Sequence, residues 1–137
     1  TDLRQIAQLL GVSVSMLFRH AAAPAHEAGY VVRKTARRPI GSSVAGLIEE
    51  LLSPDLTDDF EMVHSTFKPH SQIGETVTRP TQEVGYVISG KLDLEIDGRA
   101  FTIHPGDSFR IRGEPHRWSN PYDEPCVAIW VIAPPVY

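Results

Sequence analysis

The stretch Leu92-Asp93-Leu94-Glu95-Ile96-Asp97-Gly98 constrains this chain more than any other. Apolar and acidic residues alternate with a period of two, the pattern of a strand with one dry face and one wet face. Asp97-Gly98 closes it with a strong two-residue hairpin turn. The alternation resumes at Phe101 and Ile103, turns at Pro105-Gly106-Asp107, and continues through Phe109 and Ile111. Ser89-Gly90 joins the run 84–88 to the strand at Leu92, a further strand is expected over 60–67, and Val127, Ile129 and Val131 alternate near the end. Short strands at turn spacings of about 8–12 residues predict an all-β sandwich or barrel.

The first twenty residues follow a different rule. Leu3, Ile6, Leu9 and Leu10 are spaced by three and four, which predicts an amphipathic helix. Gly11 stops it, and Ser13 can cap a second short helix whose apolar face is Val14, Met16, Leu17 and Phe18. Residues 21–43 read as a linker with little regular structure beyond an extended Tyr30-Val31-Val32. The expected organisation is therefore helices over 1–20, linker over 21–43 and barrel over 44–137.

Charge divides the chain in the same place. Residues 1–41 hold six basic and two acidic side chains, whereas 42–137 hold seven basic and fifteen acidic ones. A basic end on an acidic body suggests two jobs. The single Cys126 allows no internal disulfide, and no apolar run approaches the ~18 residues that cross a bilayer. Thr1–Gly11 lacks the basic-then-apolar layout of a signal peptide. A cytoplasmic protein with no membrane partner is expected.

The order of turns and polar residues resembles the cupin family. One family motif ends in Pro-Gly-Asp, a histidine, and an asparagine four residues on; here these are Pro105-Gly106-Asp107, His116 and Asn120. The other is partial, with Gly74-Glu75, then Glu83, then Gly90. The resemblance implies a double-stranded β-helix, the cupin or jelly-roll barrel, preceded by a short helical remnant. Residues 3–18 are similar to the last two helices of a lambda-repressor-like (XRE) helix-turn-helix domain. In bacteria such domains are often followed by a linker and a cupin barrel. The resemblance places the base-reading helix ahead of Thr1, so the expected chain keeps a sensor and only the tail of its reader.

The cupin resemblance also implies a site. Histidine ligands usual in the family would fall at positions 77 and 79, where this chain has Val77 and Arg79. Valine has no donor atom and arginine is a permanent cation. Only Glu83 and His116 remain as ligands, so neither a tightly held metal nor another cofactor is expected. Arg79, Glu83 and His116 are instead expected to converge inside the barrel, with Trp118 on the strand face of His116 as an aromatic wall. Arg79 could clamp a carboxylate, Glu83 could accept from an amine, and the indole could stack on a cation. A second reading makes Arg79 and Glu83 an internal ion pair that fills the barrel.

Other polar residues read as ordinary. His20, His26 and His104 are expected in solvent, His70 in a loop after Pro69, His64 on a strand without a special role, and Cys126 in the core. Glu49-Glu50 and Asp58-Asp59 read as solvated faces. The functional expectation is a transcriptional regulator whose barrel senses a small-molecule effector, an amine, amino acid or similar metabolite. It would act on operator DNA through the full-length protein, as a homodimer. The alternative is a metal-dependent cupin enzyme, an oxygenase or isomerase.

Overall fold

A computed structural model of the chain describes residues 24–41, 44–55 and 57–136. The described residues form ten strands after a short 3-10 turn at Lys34–Ala36. They are β1 (Arg38–Ile40), β2 (Leu47–Leu51), β3 (Glu61–Phe67), β4 (Ser71–Gln72), β5 (Gln82–Ser89), β6 (Leu92–Ile96), β7 (Arg99–Ile103), β8 (Ser108–Arg112), β9 (His116–Asn120) and β10 (Cys126–Ala133). All pair antiparallel, in a six-stranded sheet of order β1-β2-β3-β10-β5-β8 and a four-stranded sheet of order β4-β9-β6-β7. The two sheets make the barrel that the spacing of strands and turns predicts, in the jelly-roll form that the cupin resemblance implies.

Local chemistry explains the turns. Asp97 and Gly98 take φ of 52° and 77°, the positive values a primed hairpin turn needs, and Ile96 pairs with Arg99 across them. Gly90 takes φ of 72° where β5 ends, and a Cβ there would lie 2.1 Å from the Pro125 carbonyl oxygen. Only glycine suits that corner on both counts.

Strand parity sets the core. Val63 and Phe67, Leu92 and Leu94, Phe109 and Ile111, and Trp118 point between the sheets. On β10 the buried set is Cys126, Ala128, Trp130 and Ile132, while Val127, Ile129 and Val131 lie on the outer face. Burying these rings and branched chains supplies most of the driving force, at about 25 cal/mol per Å² of apolar surface. The rings interlock: Trp118 meets Phe67 edge-on at 4.7 Å and Trp130 meets Phe109 at 4.8 Å.

The segment read as linker is more ordered than expected. Tyr30-Val31-Val32 forms no strand, and Tyr30 ends a series of turns. Strand β1 follows instead and pairs along β2, with Arg38 opposite Leu51. Arg38 is buried, and its Nη1 donates to the Ser53 carbonyl at 3.2 Å. Pro39 is tolerated because β1 is the sheet edge. The two helices expected over residues 1–20 lie outside the described residues. Among the described residues, no helix is long and apolar enough to cross a membrane.

Candidate functional site

Parity on three segments aims the predicted residues at one place. Glu83 shares the inner face of β5 with Gly85 and Val87. His116 and Trp118 are two apart on β9 and point the same way. Val77 bridges to His116 through reciprocal backbone hydrogen bonds of 2.8 and 2.9 Å, which lays the segment carrying Arg79 beside β9. Arg79, Glu83, His116 and Trp118 all line a single cavity of about 60 Å³ between the sheets. Phe67, Leu94 and Trp130 form much of its apolar wall.

The polar groups are held individually. Glu83 is only 3% exposed and accepts a hydrogen bond from Thr81 Oγ1 at 3.0 Å. His116 Nδ1 lies 3.0 Å from the Glu114 carbonyl. A carbonyl only accepts, so Nδ1 carries the proton, and a neutral ring presents Nε2 as an acceptor. Among the described residues, Arg79 and Glu83 form no ion pair with each other. The reading of that pair as barrel filling therefore lacks its contact.

Three polar lining residues, Glu49, Ser65 and Arg117, escaped the sequence reading. Glu49, read there as solvated, points inward and lines the cavity. The reason is parity: Leu47 and Leu51 flank it on the same face of β2, and of the two acids Glu50 alone turns outward, beside Ile48. Ser65 lies directly opposite Glu49 on β3, 1% exposed, and also lines the cavity. Among the described residues, no protein group hydrogen-bonds its Oγ.

The donor set does not fit a metal. The cupin motif puts imidazoles where this chain has Val77 and Arg79, and among the described residues no three His, Cys, Asp or Glu side chains cluster to hold an ion. Val77 has no donor atom and Arg79 is a permanent cation, so neither position supplies a metal ligand.

On the four-stranded sheet, polar residues satisfy one another. A larger depression of about 270 Å³ lies on the four-stranded sheet. There Asp93 accepts from Tyr122 Oη at 2.7 Å and Thr102 Oγ1 at 3.0 Å, and Glu95 pairs with Arg117 at 3.3 Å. Its charges already have partners. The motif residue Asn120 is fully buried and works as a staple, donating to the Phe67 and Glu124 carbonyls at 3.0 and 2.9 Å. Cys126 is a core residue whose thiol burial pushes up to about 11. His104 is exposed beside Asp107, and His70 is exposed with its Nε2 2.8 Å from Asp123 Oδ1. His26 is exposed too, and His20 lies outside the described residues.

This barrel defines the class. The cupin-domain family model (Cupin_2) matches residues 63–132, and the chain belongs to the cupin family. Its similarity to individual proteins points further. It is 27% identical over 124 residues to the HTH-type transcriptional regulator PuuR of Escherichia coli (strain K12), across 88% of this chain and 64% of that protein. The chain thus spans under two thirds of the curated relatives it matches. Among solved structures, the cupin domain of an XRE family transcriptional regulator from Enterobacter cloacae is 26% identical. It superposes with a TM-score of 0.57 over 66% of this chain and 99% of that one. KdgF from a Halomonas species shares the fold at 18% identity, with a TM-score of 0.67 over 79% of this chain and 96% of that one.

Proposed function

We propose that this chain is the effector-sensing part of a transcriptional regulator, not an enzyme, and that its barrel binds a small amine, amino acid or related metabolite. The carrying observation is the convergence of Arg79, Glu83, His116 and Trp118 on one cavity whose donor set suits no metal. The similarity to regulators along most of the chain supports the same reading. Glu83 accepts from an ammonium, Arg79 clamps a carboxylate, and His116 Nε2 takes a further hydrogen bond. The cavity is small. One water needs roughly 10–15 Å³ of such space, so a group of only a few non-hydrogen atoms enters it as it stands.

Control of DNA follows by linkage. A ligand that prefers one arrangement of a two-fold dimer shifts the operator affinity of the attached reading domains by its differential affinity for the two arrangements. The barrels pair through the outer face of the six-stranded sheet, where Val84, Tyr86, Ile88 and Val131 are exposed together.

The test is thermal melting of the chain against amines, amino acids and carboxylates, with metal analysis of the same protein. A binder at 100 times its Kd should add about 2.7 kcal/mol of stability. Stoichiometric transition metal that resists dialysis, with no metabolite response, would move the assignment to a cupin enzyme.

A further inference from the structure

The wall of the interior cavity carries two carboxyl side chains, Glu49 and Glu83, and two guanidinium groups, Arg79 and Arg117. Arg117 pairs with Glu95 at 3.3 Å, and Glu49 is engaged by a contact of its own. Arg79 and Glu83 behave differently. They line the same space of about 60 Å³, yet among the described residues they form no ion pair. Thr81 lies between them in the chain and is only 5% exposed. Its hydroxyl donates to Glu83 Oε2 at 3.0 Å, and Thr81 itself does not line the cavity. We infer that Thr81 is a positioning residue that tethers the Glu83 carboxylate away from Arg79 and so keeps both groups open to a ligand. That role rests on the effector reading of the barrel interior and names the residue that prepares its site.

The physics is a competition for one carboxylate. Away from bulk water a guanidinium attracts a carboxylate strongly, and its fork geometry favours a bidentate pair. Such a pair would take up the acceptors of Glu83 and the donors of Arg79 together, leaving little for a ligand. Thr81 stands two residues before Glu83, on the same side of the chain, and its β-branched side chain is stiff at χ1. A hydroxyl held in so few positions fixes the oxygen it binds. Oε2 is occupied by this bond, whereas Oε1 accepts from no protein group among the described residues. Glu83 is 3% exposed, so the donor for Oε1 comes from the cavity. The carboxylate is thus ordered before a ligand arrives, which removes part of the ordering cost from binding.

The experiment is a double-mutant cycle on Thr81 and Arg79, read by calorimetric titration and melting with n-propylamine. This probe can use Glu83 and offers Arg79 nothing. Thr81→Val keeps the shape and removes the tether; Thr81→Ala repeats the comparison if the valine does not fold. The tether-free chain should bind the amine about tenfold more weakly, the loss typical of a charge-assisted hydrogen bond. Thr81→Ser keeps the hydroxyl and should bind as the parent does. In an Arg79→Gln background the Thr81→Val change should cost less than about twofold, because no guanidinium remains to capture the carboxylate. An equal loss in both backgrounds would mean that Thr81 does not work against Arg79. No loss in either would make its hydroxyl purely structural. Either result overturns the inference and leaves the effector reading standing. If the amine does not bind the parent while a carboxylate of the panel does, Glu83 reads no ligand and the inference also fails. If neither the amine nor any metabolite of the panel stabilises the parent chain, the effector reading fails with it.

Discussion

Each face of the six-stranded sheet carries a few residues of the opposite polarity to their surroundings. The inner face holds Glu49, Ser65, Glu61 and Glu83 among its apolar residues. The outer face presents Val84, Tyr86, Ile88, Ile129 and Val131. A sheet that only had to fold would bury the second set and expose the first. Each inversion has a separate physical meaning. Buried charge seldom contributes more to folding than apolar residues of the same volume, so the Glu83 carboxylate on the cavity supports the proposed ligand reading. Contiguous exposed apolar residues point to a partner.

The sharpest way to break this comparison is on the outer face. Tyr86 is 49% exposed and lies in the cross-strand row Tyr86–Ile129–His64, next to the row Val84–Val131–Met62. If that face pairs two copies, Tyr86→Asp places a charge near the centre of the contact. Loss of a central aromatic anchor costs about 2–4 kcal/mol, so the dimer should weaken roughly 30- to 1,000-fold in sedimentation. Unfolding should change little, because the side chain faces out. A parent chain that is monomeric at high micromolar concentration would remove the partner reading.

The inner face answers next. A Cβ on Gly85 would lie 2.1 Å from Phe109 Cζ, and Phe109 is wedged against Trp130. The ring has little room to give, so Gly85→Ala should destabilise by about 1–3 kcal/mol through overpacking. Denaturant melts check it. Glu83→Gln, on the same strand and face, should change stability by less than ~1 kcal/mol. It keeps the shape and can still accept from Thr81, and no Arg79 partner is lost. It should nonetheless reduce stabilisation by zwitterionic metabolites. A clear loss of stability in Glu83→Gln, with no metabolite response in the parent, would make the inner charges scaffolding.

Legibility in the sequence follows the same division. Where one parity is apolar and the other polar, the facing could be read: Leu92 and Leu94 turned in, and Phe109 and Ile111 turned in opposite Arg110 and Arg112. Glu83, His116 and Trp118 were reachable because turns and motif spacing locate them independently of hydropathy. In β10 both parities are apolar, so alternation alone could not tell Trp130 from Val131. Glu49 was misread because adjacent acids suggest a wet surface, although Leu47 and Leu51 place it inside. Ser65 gave no signal, since a serine in a strand is common on either face. Strand β1 is three residues around a proline, too short for any period, and only its edge pairing with β2 reveals it.

The smallest expected effect lies where the outer face meets its polar rim. His64 Nδ1 is 3.9 Å from Glu50 Oε1, and Arg37 Nη1 is 3.7 Å from the same oxygen. Burial holds the His64 pKa below its ordinary value of 6.5; Arg37 and Lys34 add to this, and the pull of Glu50 does not reverse it. The folded chain therefore favours neutral imidazole, while the unfolded chain takes up a proton near pH 6.5. Below that pH the unfolded state binds more protons, so stability is fully present above about 6.5 and falls as the pH drops through the depressed folded value. His64→Gln removes the titration and keeps a polar side chain of similar reach. Parent and variant should then lie at a constant offset above pH 7, and on acidification the parent should fall relative to the variant, losing stability that the variant cannot lose. Parallel curves from pH 7.5 to 5 would mean that His64 is solvated in solution. The outer face would then be wetter around β3 than its neighbours Ile129 and Tyr86 imply, and the apolar patch would shrink to β5 and β10.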